Sequence, residues 1–211
     1  MSNKEILIIY NDDGIEEHSF RDGKNRIIHE GVAKTAEEVK AALKENGFSI
    51  EVQPLSVKIG IDALLREVKK DAGRMVFNLC EAAFGQSALE MNVAALLELY
   101  RVKFTGSPAL TLGLALDKGL SKDILNSRGI PTPAYCVLTE PPSTSRLKNK
   151  LEFPLIVKPL REDASIGIDS GAVVHTMEEF KRRVEFVINH FAQPAIVEEY
   201  IEGREFNVAV I

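Results

Sequence analysis

Apolar residues along this chain gather into short runs separated by polar stretches of helical period, a pattern that predicts alternating strands and helices. Ile6-Leu-Ile-Ile9, within residues 4–10, predicts a first buried strand, and Asn11-Asp-Asp-Gly14 a turn after it. Residues 16–26 are polar and aperiodic, which predicts a mobile loop. Helical spacing then runs from Glu30 through Val32, Ala36, Val39 and Leu43 to a stop at Gly47. The same logic predicts strands at 48–55 and 74–80, helices at 61–68, 89–99 and 110–116, and a short strand or turn at 103–106. Strands alternating with helices imply βαβ units and a parallel sheet. The apolar pattern resets near Asp117-Lys118, where a first domain boundary is expected. Beyond it the pattern predicts a helix at 120–127 stopped by Gly129, then strands at 135–138, 153–157 and 172–175. A loop at 139–145 and a helix at 177–191 complete this part.

Composition narrows the class without changing that picture. Hydrophobic residues make up 45% of the 211 and charged residues 27%, enough for a packed core. A net charge of −5 argues against nucleic acid as the main partner. Cys80 and Cys136, both in apolar surroundings, suit buried, reduced thiols rather than a disulfide framework or a zinc site. Neither a leader nor a membrane-length apolar run is visible, so a cytoplasmic protein without a membrane partner is expected. His18, His29, His175 and His190 show no metal-ligand spacing, and no nucleophile–base pair assigns a catalytic residue.

Two stretches carry candidate chemistry. In Leu155-Ile-Val-Lys-Pro-Leu-Arg-Glu-Asp-Ala-Ser-Ile-Gly-Ile168, Lys158 stands at the end of a buried strand, and Pro159 favours an extended Lys158. The loop from Arg161 to Gly167, with Ser165 and Gly167, lets backbone N–H groups approach an anion while the ammonium supplies a point charge. The residues alone also suit a solvated edge lysine followed by an ordinary turn. In the second stretch, 195–211, two apolar runs flank Glu202-Gly203-Arg204 and predict strand, turn, strand. Adjacent Glu198 and Glu199 should point to opposite faces, one toward a cleft and one away. A surface hairpin with solvated acids fits this pattern as well.

Together the two stretches resemble the ATP-grasp superfamily, and within it the D-alanine–D-alanine ligase family. The shared pattern runs in order through Phe77-Asn-Leu79, Phe104-Thr-Gly-Ser-Pro108, Leu116-Asp-Lys118, Gly129-Ile-Pro-Thr-Pro133, Pro154-Leu-Ile-Val-Lys-Pro159 and Glu198-Glu-Tyr-Ile-Glu-Gly-Arg-Glu205. The resemblance implies an α/β fold: a pre-ATP-grasp, Rossmann-like parallel-sheet domain over 1–117, a central ATP-grasp subdomain over 118–191, and the truncated start of a C-terminal lobe over 192–211. It implies carboxylate–amine ligation, in which ATP phosphorylates a carboxylate to an acylphosphate that an amine then attacks. Lys118, Lys158 and Ser165 would meet the phosphates; Glu198, Glu199, Ile201 and Glu205 would hold the nucleoside, Ile201 against adenine and Glu205 at the ribose. The partners implied are a small amino-acid or carboxylate substrate and Mg2+, whose ligands are expected beyond Ile211; a homodimer is compatible with it.

The chain also departs from the family pattern. The glycine-rich turn after the first strand reads Asn11-Asp-Asp-Gly-Ile-Glu-Glu-His-Ser19, the His-Gly pair after the third strand is Glu81-Ala82, and the Gly-Ser-Ser of the phosphate loop is Asp163-Ala164-Ser165. Groups that the family uses around its first amino acid are thereby replaced. The sequence stops at Ile211 inside an apolar run, so it is expected to be the N-terminal portion of a longer enzyme, inactive by itself. The alternative is a non-catalytic ATP-binding module that has lost its amino-acid site; a plain doubly wound, partner-binding domain is a third reading.

Overall fold

A computed structural model describes residues 5–12, 30–56, 59–70, 74–142, 151–162, 166–206 and 208. The loop expected at 16–26, His18, His29 and Ser165 lie outside them. The chain divides into two compact units, Met1–Leu114 and Ala115–Ile211.

In the first unit, β1 (Glu5–Asn11), β2 (Ser49–Leu55), β3 (Met75–Leu79) and β4 (Lys103–Phe104) form a sheet in the order β2-β1-β3-β4. Every pairing in it is parallel, as alternating strands and helices imply. The connecting helices are α1 (Glu30–Glu45), α2 (Ile61–Lys70) and α3 (Glu90–Leu99), and α4 (Ala109–Leu116) runs across the division between the units. β1 is apolar without alternation because both of its faces are covered: Leu7, Ile8 and Ile9 are all fully buried. Leu7 and Ile9 join Leu55, Leu64, Val68, Val76, Val93 and Leu97 in one core. Arg74, just ahead of β3, is buried and held by acids, with Nη1 2.7 Å from Glu51 and 3.6 Å from Glu5 and Nη2 3.3 Å from Glu67.

In the second unit, α5 (Lys118–Ser127) precedes β5 (Tyr135–Leu138), β6 (Leu155–Pro159), β7 (Val173–Val174), α6 (Met177–Phe191) and β8 (Ala195–Glu199). The sheet order is β5-β8-β6-β7 and every pairing is antiparallel. α5 and β6 differ in their bounds from the sequence pattern, each for a local reason. α5 begins at Lys118 rather than 120, because the Asp117 carboxylate accepts from Leu120 N at 3.0 Å and caps the helix. β6 runs on through Pro159. Val157 N donates away from β8, to Ala172 O at 2.8 Å, and Pro159, two residues on, has its nitrogen on the same side, beyond the end of β7. A missing N–H costs no ladder bond there.

Of the expected hairpin at 195–211, residues 207 and 209–211, most of its second strand, lie outside the described residues. β8 forms, but its partners are β5 and β6, on either side of it, and residues 200–206 and 208 carry no strand. β8 lies at the centre of this sheet, so residues 195–199 are integral to the unit that begins at Ala115.

Candidate functional site

Strand alternation divides the second unit's sheet into two chemically different faces. Leu155 and Val157 of β6, Ala195 and Val197 of β8, and Cys136 and Leu138 of β5 point one way, into a core with Phe180, Val184 and Val187 of α6. The intervening residues point the other way. Ile156 stands opposite Glu198, Lys158 opposite Ile196, and Tyr135 opposite Glu198 from the other side. Lys158 and Glu198 are thus diagonal neighbours on one face, within reach of long side chains.

They meet. Lys158 Nζ lies 2.5 Å from Glu198 Oε2, and Lys122 Nζ, from α5, lies 3.3 Å from Oε1 of the same carboxylate. All three side chains are largely withdrawn from water, at 8% exposure for Glu198, 11% for Lys122 and 17% for Lys158. Lys122 also donates to Pro133 O at 3.3 Å and stands 5.3 Å from the centre of the Tyr135 ring. Tyr135 in turn ties the strand to the helix: its hydroxyl is 3.2 Å from Gly119 O and meets the Asp123 carboxylate. Burial, reinforced by that carboxylate, pushes the Tyr135 phenol up to about 12. Gly119 has little room, since a Cβ there would lie 3.2 Å from Val137 Cγ2 and 3.4 Å from Leu160 Cδ1.

Lys118 opens α5 one turn before Lys122. Its ammonium donates to the carbonyls of Pro159 (3.2 Å), Leu160 (3.5 Å) and Glu162, gripping the chain as it leaves β6. Arg161 Nε pairs with Asp117 at 2.9 Å, and Arg161 N and the Glu162 carboxylate both bind the Gln193 amide. Where description resumes after Ser165, Arg183 of α6 holds the chain, with Nη2 2.6 Å from Gly167 O and Nη1 3.0 Å from Asp169 Oδ2. Gly167 has φ +75° and packs so closely that a Cβ would fall 2.6 Å from Pro159 Cγ and 2.8 Å from Phe191 Cζ.

The structure therefore brings Lys158 and Glu198 together and sets Lys118 against the residues that follow Lys158. Glu199 points to the opposite face and, half-buried, accepts from Ala134 N at 3.4 Å. Ile201 is 65% exposed and Glu205 is also exposed, both past the end of β8. Lys122, Tyr135 and Asp117 complete the cluster and were absent from the sequence-based set. The i, i+4 spacing of Lys118 and Lys122 was the one available signal for Lys122. An open hollow of about 490 Å³ against α6, lined by Ser170, His175, Arg182, Arg183 and Phe186 among others, holds none of the expected residues.

The cluster offers positive charge to an anion. A buried lysine, Lys122, and a half-buried one, Lys158, share one carboxylate, leaving a surplus positive charge beside a strand end, and Glu198 can accept from an amino group. Magnesium is different. Among the described residues no group of three or more His, Cys, Asp or Glu could hold a metal ion.

A parallel sheet followed by an antiparallel one is an arrangement that solved D-alanine–D-alanine ligases share. Residues 124–211 match the family model described as D-ala D-ala ligase C-terminus. The chain is 38% identical over 137 residues to an uncharacterized protein, y4sG, of Sinorhizobium fredii, covering 65% of this chain and 39% of that protein. It is 35% identical over 130 residues to a D-alanine–D-alanine ligase of Marinomonas, covering 62% and 40% respectively. With the D-alanine–D-alanine ligase of Aquifex aeolicus it shares 31% identity over 179 residues, covering 84% and 57%. The structure of the Bacillus anthracis D-alanine–D-alanine ligase complexed with ATP superposes with a TM-score of 0.69 at 25% identity, over 96% of this chain and 58% of that one. The chain is similar to the D-alanine–D-alanine ligases, and it spans about half the length of the curated relatives it matches. No described helix is long and apolar enough to cross a membrane.

Proposed function

We propose that this chain supplies the nucleotide-holding part of an ATP-dependent carboxylate–amine ligase. The observation that carries the proposal is the buried cluster in which Lys158 and Lys122 flank Glu198 on the sheet face opposite the α6 core. In this reading residues 1–117 are the pre-ATP-grasp domain, and α5 and the β5-β8-β6-β7 sheet hold ATP. Lys158 meets the phosphates, Glu198 accepts from the adenine amino group, and Ile201 and Glu205, beyond β8, contact adenine and ribose. Lys118 fixes the chain from Pro159 to Glu162, setting the root of the loop that carries Ser165 over the phosphates. These are positioning and electrostatic tasks; the chain's residues orient the nucleotide and offset its charge. The reaction is formation of an acylphosphate from a carboxylate and its capture by an amine, with ADP and phosphate as the other products. Glu81-Ala82, at the place of the family's His-Gly pair, points to an amino-acid substrate other than D-alanine alone.

Calorimetric titration with ATP tests the site. Loss of one charge-assisted contact in Lys158→Met should weaken binding on the order of tenfold to a hundredfold. Equal affinity in wild type and Lys158→Met would remove the lysine, and this reading, from the molecule.

A further inference from the structure

Glu198 has a partner on each oxygen, and the two partners are not equivalent. Lys158 stands on β6, in the strand that leads to the loop, and takes Oε2 at 2.5 Å. Lys122 comes from α5, takes Oε1 at 3.3 Å, and is anchored at the same time to Pro133 O and over the Tyr135 ring. Lys122 thus has fixed neighbours on several sides, whereas Lys158 is the more exposed of the two, at 17% against 11%.

We propose that Lys122 is a positioning residue that keeps Glu198 neutralised so that Lys158 can turn from the carboxylate to a nucleotide phosphate. The proposal rests on the nucleotide reading given above and adds to it the residue that makes the lysine available. A buried carboxylate stripped of its only cation is strongly unfavourable. With Lys122 in place, Lys158 can leave Oε2 and Glu198 remains paired through Oε1. Without Lys122, Lys158 would be the sole counter-ion, and every move toward phosphate would strand a buried charge. Lys122 therefore acts on the nucleotide through Glu198 and Lys158, without touching it.

Two measurements on the 211-residue chain test this. The first needs no nucleotide: proton exchange of the Lys158 ammonium with water, followed by 15N NMR in wild type and in Lys122→Met. Exchange should be severalfold slower in Lys122→Met, because Lys158 is then held by Glu198 without competition. Unchanged or faster exchange overturns the proposal whether or not ATP binds. The second is calorimetric titration with ATP, where Lys122→Met should bind on the order of tenfold more weakly. Undiminished affinity alongside slowed exchange also overturns it, since release of Lys158 would then not limit binding. Slowed exchange in a chain whose wild type takes no ATP would confirm the exchange of partners at Glu198 and overturn the proposed function instead. Lys122→Gln, which keeps a hydrogen-bond donor but no charge, gives the same two readouts if Lys122→Met does not fold.

Discussion

Arg74 in the first unit and Glu198 in the second are each buried among partners of opposite sign, with the signs reversed. In the first, the guanidinium of Arg74 is 2% exposed and faces three carboxylates: Glu5 at 35%, Glu51 at 43% and Glu67 at 17% exposure. In the second, the carboxylate of Glu198 is 8% exposed and faces two lysines that are themselves withdrawn from water. Glu5 and Glu51 keep contact with solvent and could rehydrate where they stand, whereas Glu67, at 17%, is as withdrawn as Lys158. The lysines around Glu198 cannot do so without moving. Arg74 therefore behaves as a rivet between Glu51 of β2 and Glu67 of α2, while in the proposed function the second cluster holds its cations in store for an anion. The fixed fork of a guanidinium suits the first task, and point charges on flexible stems suit the second.

The comparison can be broken most forcefully at Glu198. Glu198→Leu leaves two buried ammonium groups without their carboxylate and should cost the second unit about 3–5 kcal/mol in urea unfolding. Arg74→Met leaves acids already in partial contact with water, together with the Glu67 carbonyl that the guanidinium also binds. Its cost should be smaller, about 1–3 kcal/mol. Equal costs would mean that the two clusters do not differ in the way their exposures imply.

Two glycines sharpen the contrast at a smaller scale. Gly60 in the first unit and Gly167 in the second have nearly the same φ, +73° and +75°. A Cβ at Gly60 would meet nothing within 4 Å, whereas at Gly167 it would collide with Pro159 and Phe191. Gly60→Ala should then cost only left-handed backbone strain, about 1–2 kcal/mol, and Gly167→Ala should add a packing penalty of about 1–3 kcal/mol. Thermal unfolding of the two variants side by side checks this, and indistinguishable losses would show that the contacts at Gly167 yield.

The smallest effect is on pH dependence. The Tyr135 phenol is pushed up to about 12 by burial and by Asp123, from an ordinary value of 10.0. Its folded form therefore keeps a proton that the unfolded chain releases, and the stability gained is complete below pH 10 and lost as pH rises toward 12. Tyr135→Phe should show a shallower alkaline decline than wild type across that window. Identical slopes in urea unfolding from pH 9.5 to 12 would discard the assignment. Burial also raises the Tyr10 phenol in the first unit, with Asp12 adding to it, so Tyr10→Phe provides the matching control.

The first unit was legible in the sequence because its information is local. Ile6 to Ile9 declare a strand buried on both faces, Gly47 ends a helix where helical spacing stops, and parallel pairing follows from the alternation of strands and helices. The second unit was legible as elements but not as pairings. Nothing near Ala195 announces that β8 will lie between β5, some sixty residues earlier, and β6. Lys158 and Glu198 stood out because strand ends with charged residues are conspicuous. Lys122 did not, since a lysine on an amphipathic helix looks like any solvated one until Tyr135 and Glu198 are packed against it.

The alternation that separates the two faces of the second sheet has a consequence for how this sequence can change. In β8, Val197 belongs to the α6 core and Glu198 to the lysines, one residue apart. Any substitution there disturbs one face and spares the other. A deletion or insertion of a single residue within β8 reverses the parity of everything beyond it, sending a carboxylate into the hydrocarbon layer and a valine to the ammonium groups in one stroke. Length in this strand is therefore more tightly constrained than identity. Drift should pass through β8 by exchange of side chains in place, and changes of chain length should be shed into the connections on either side.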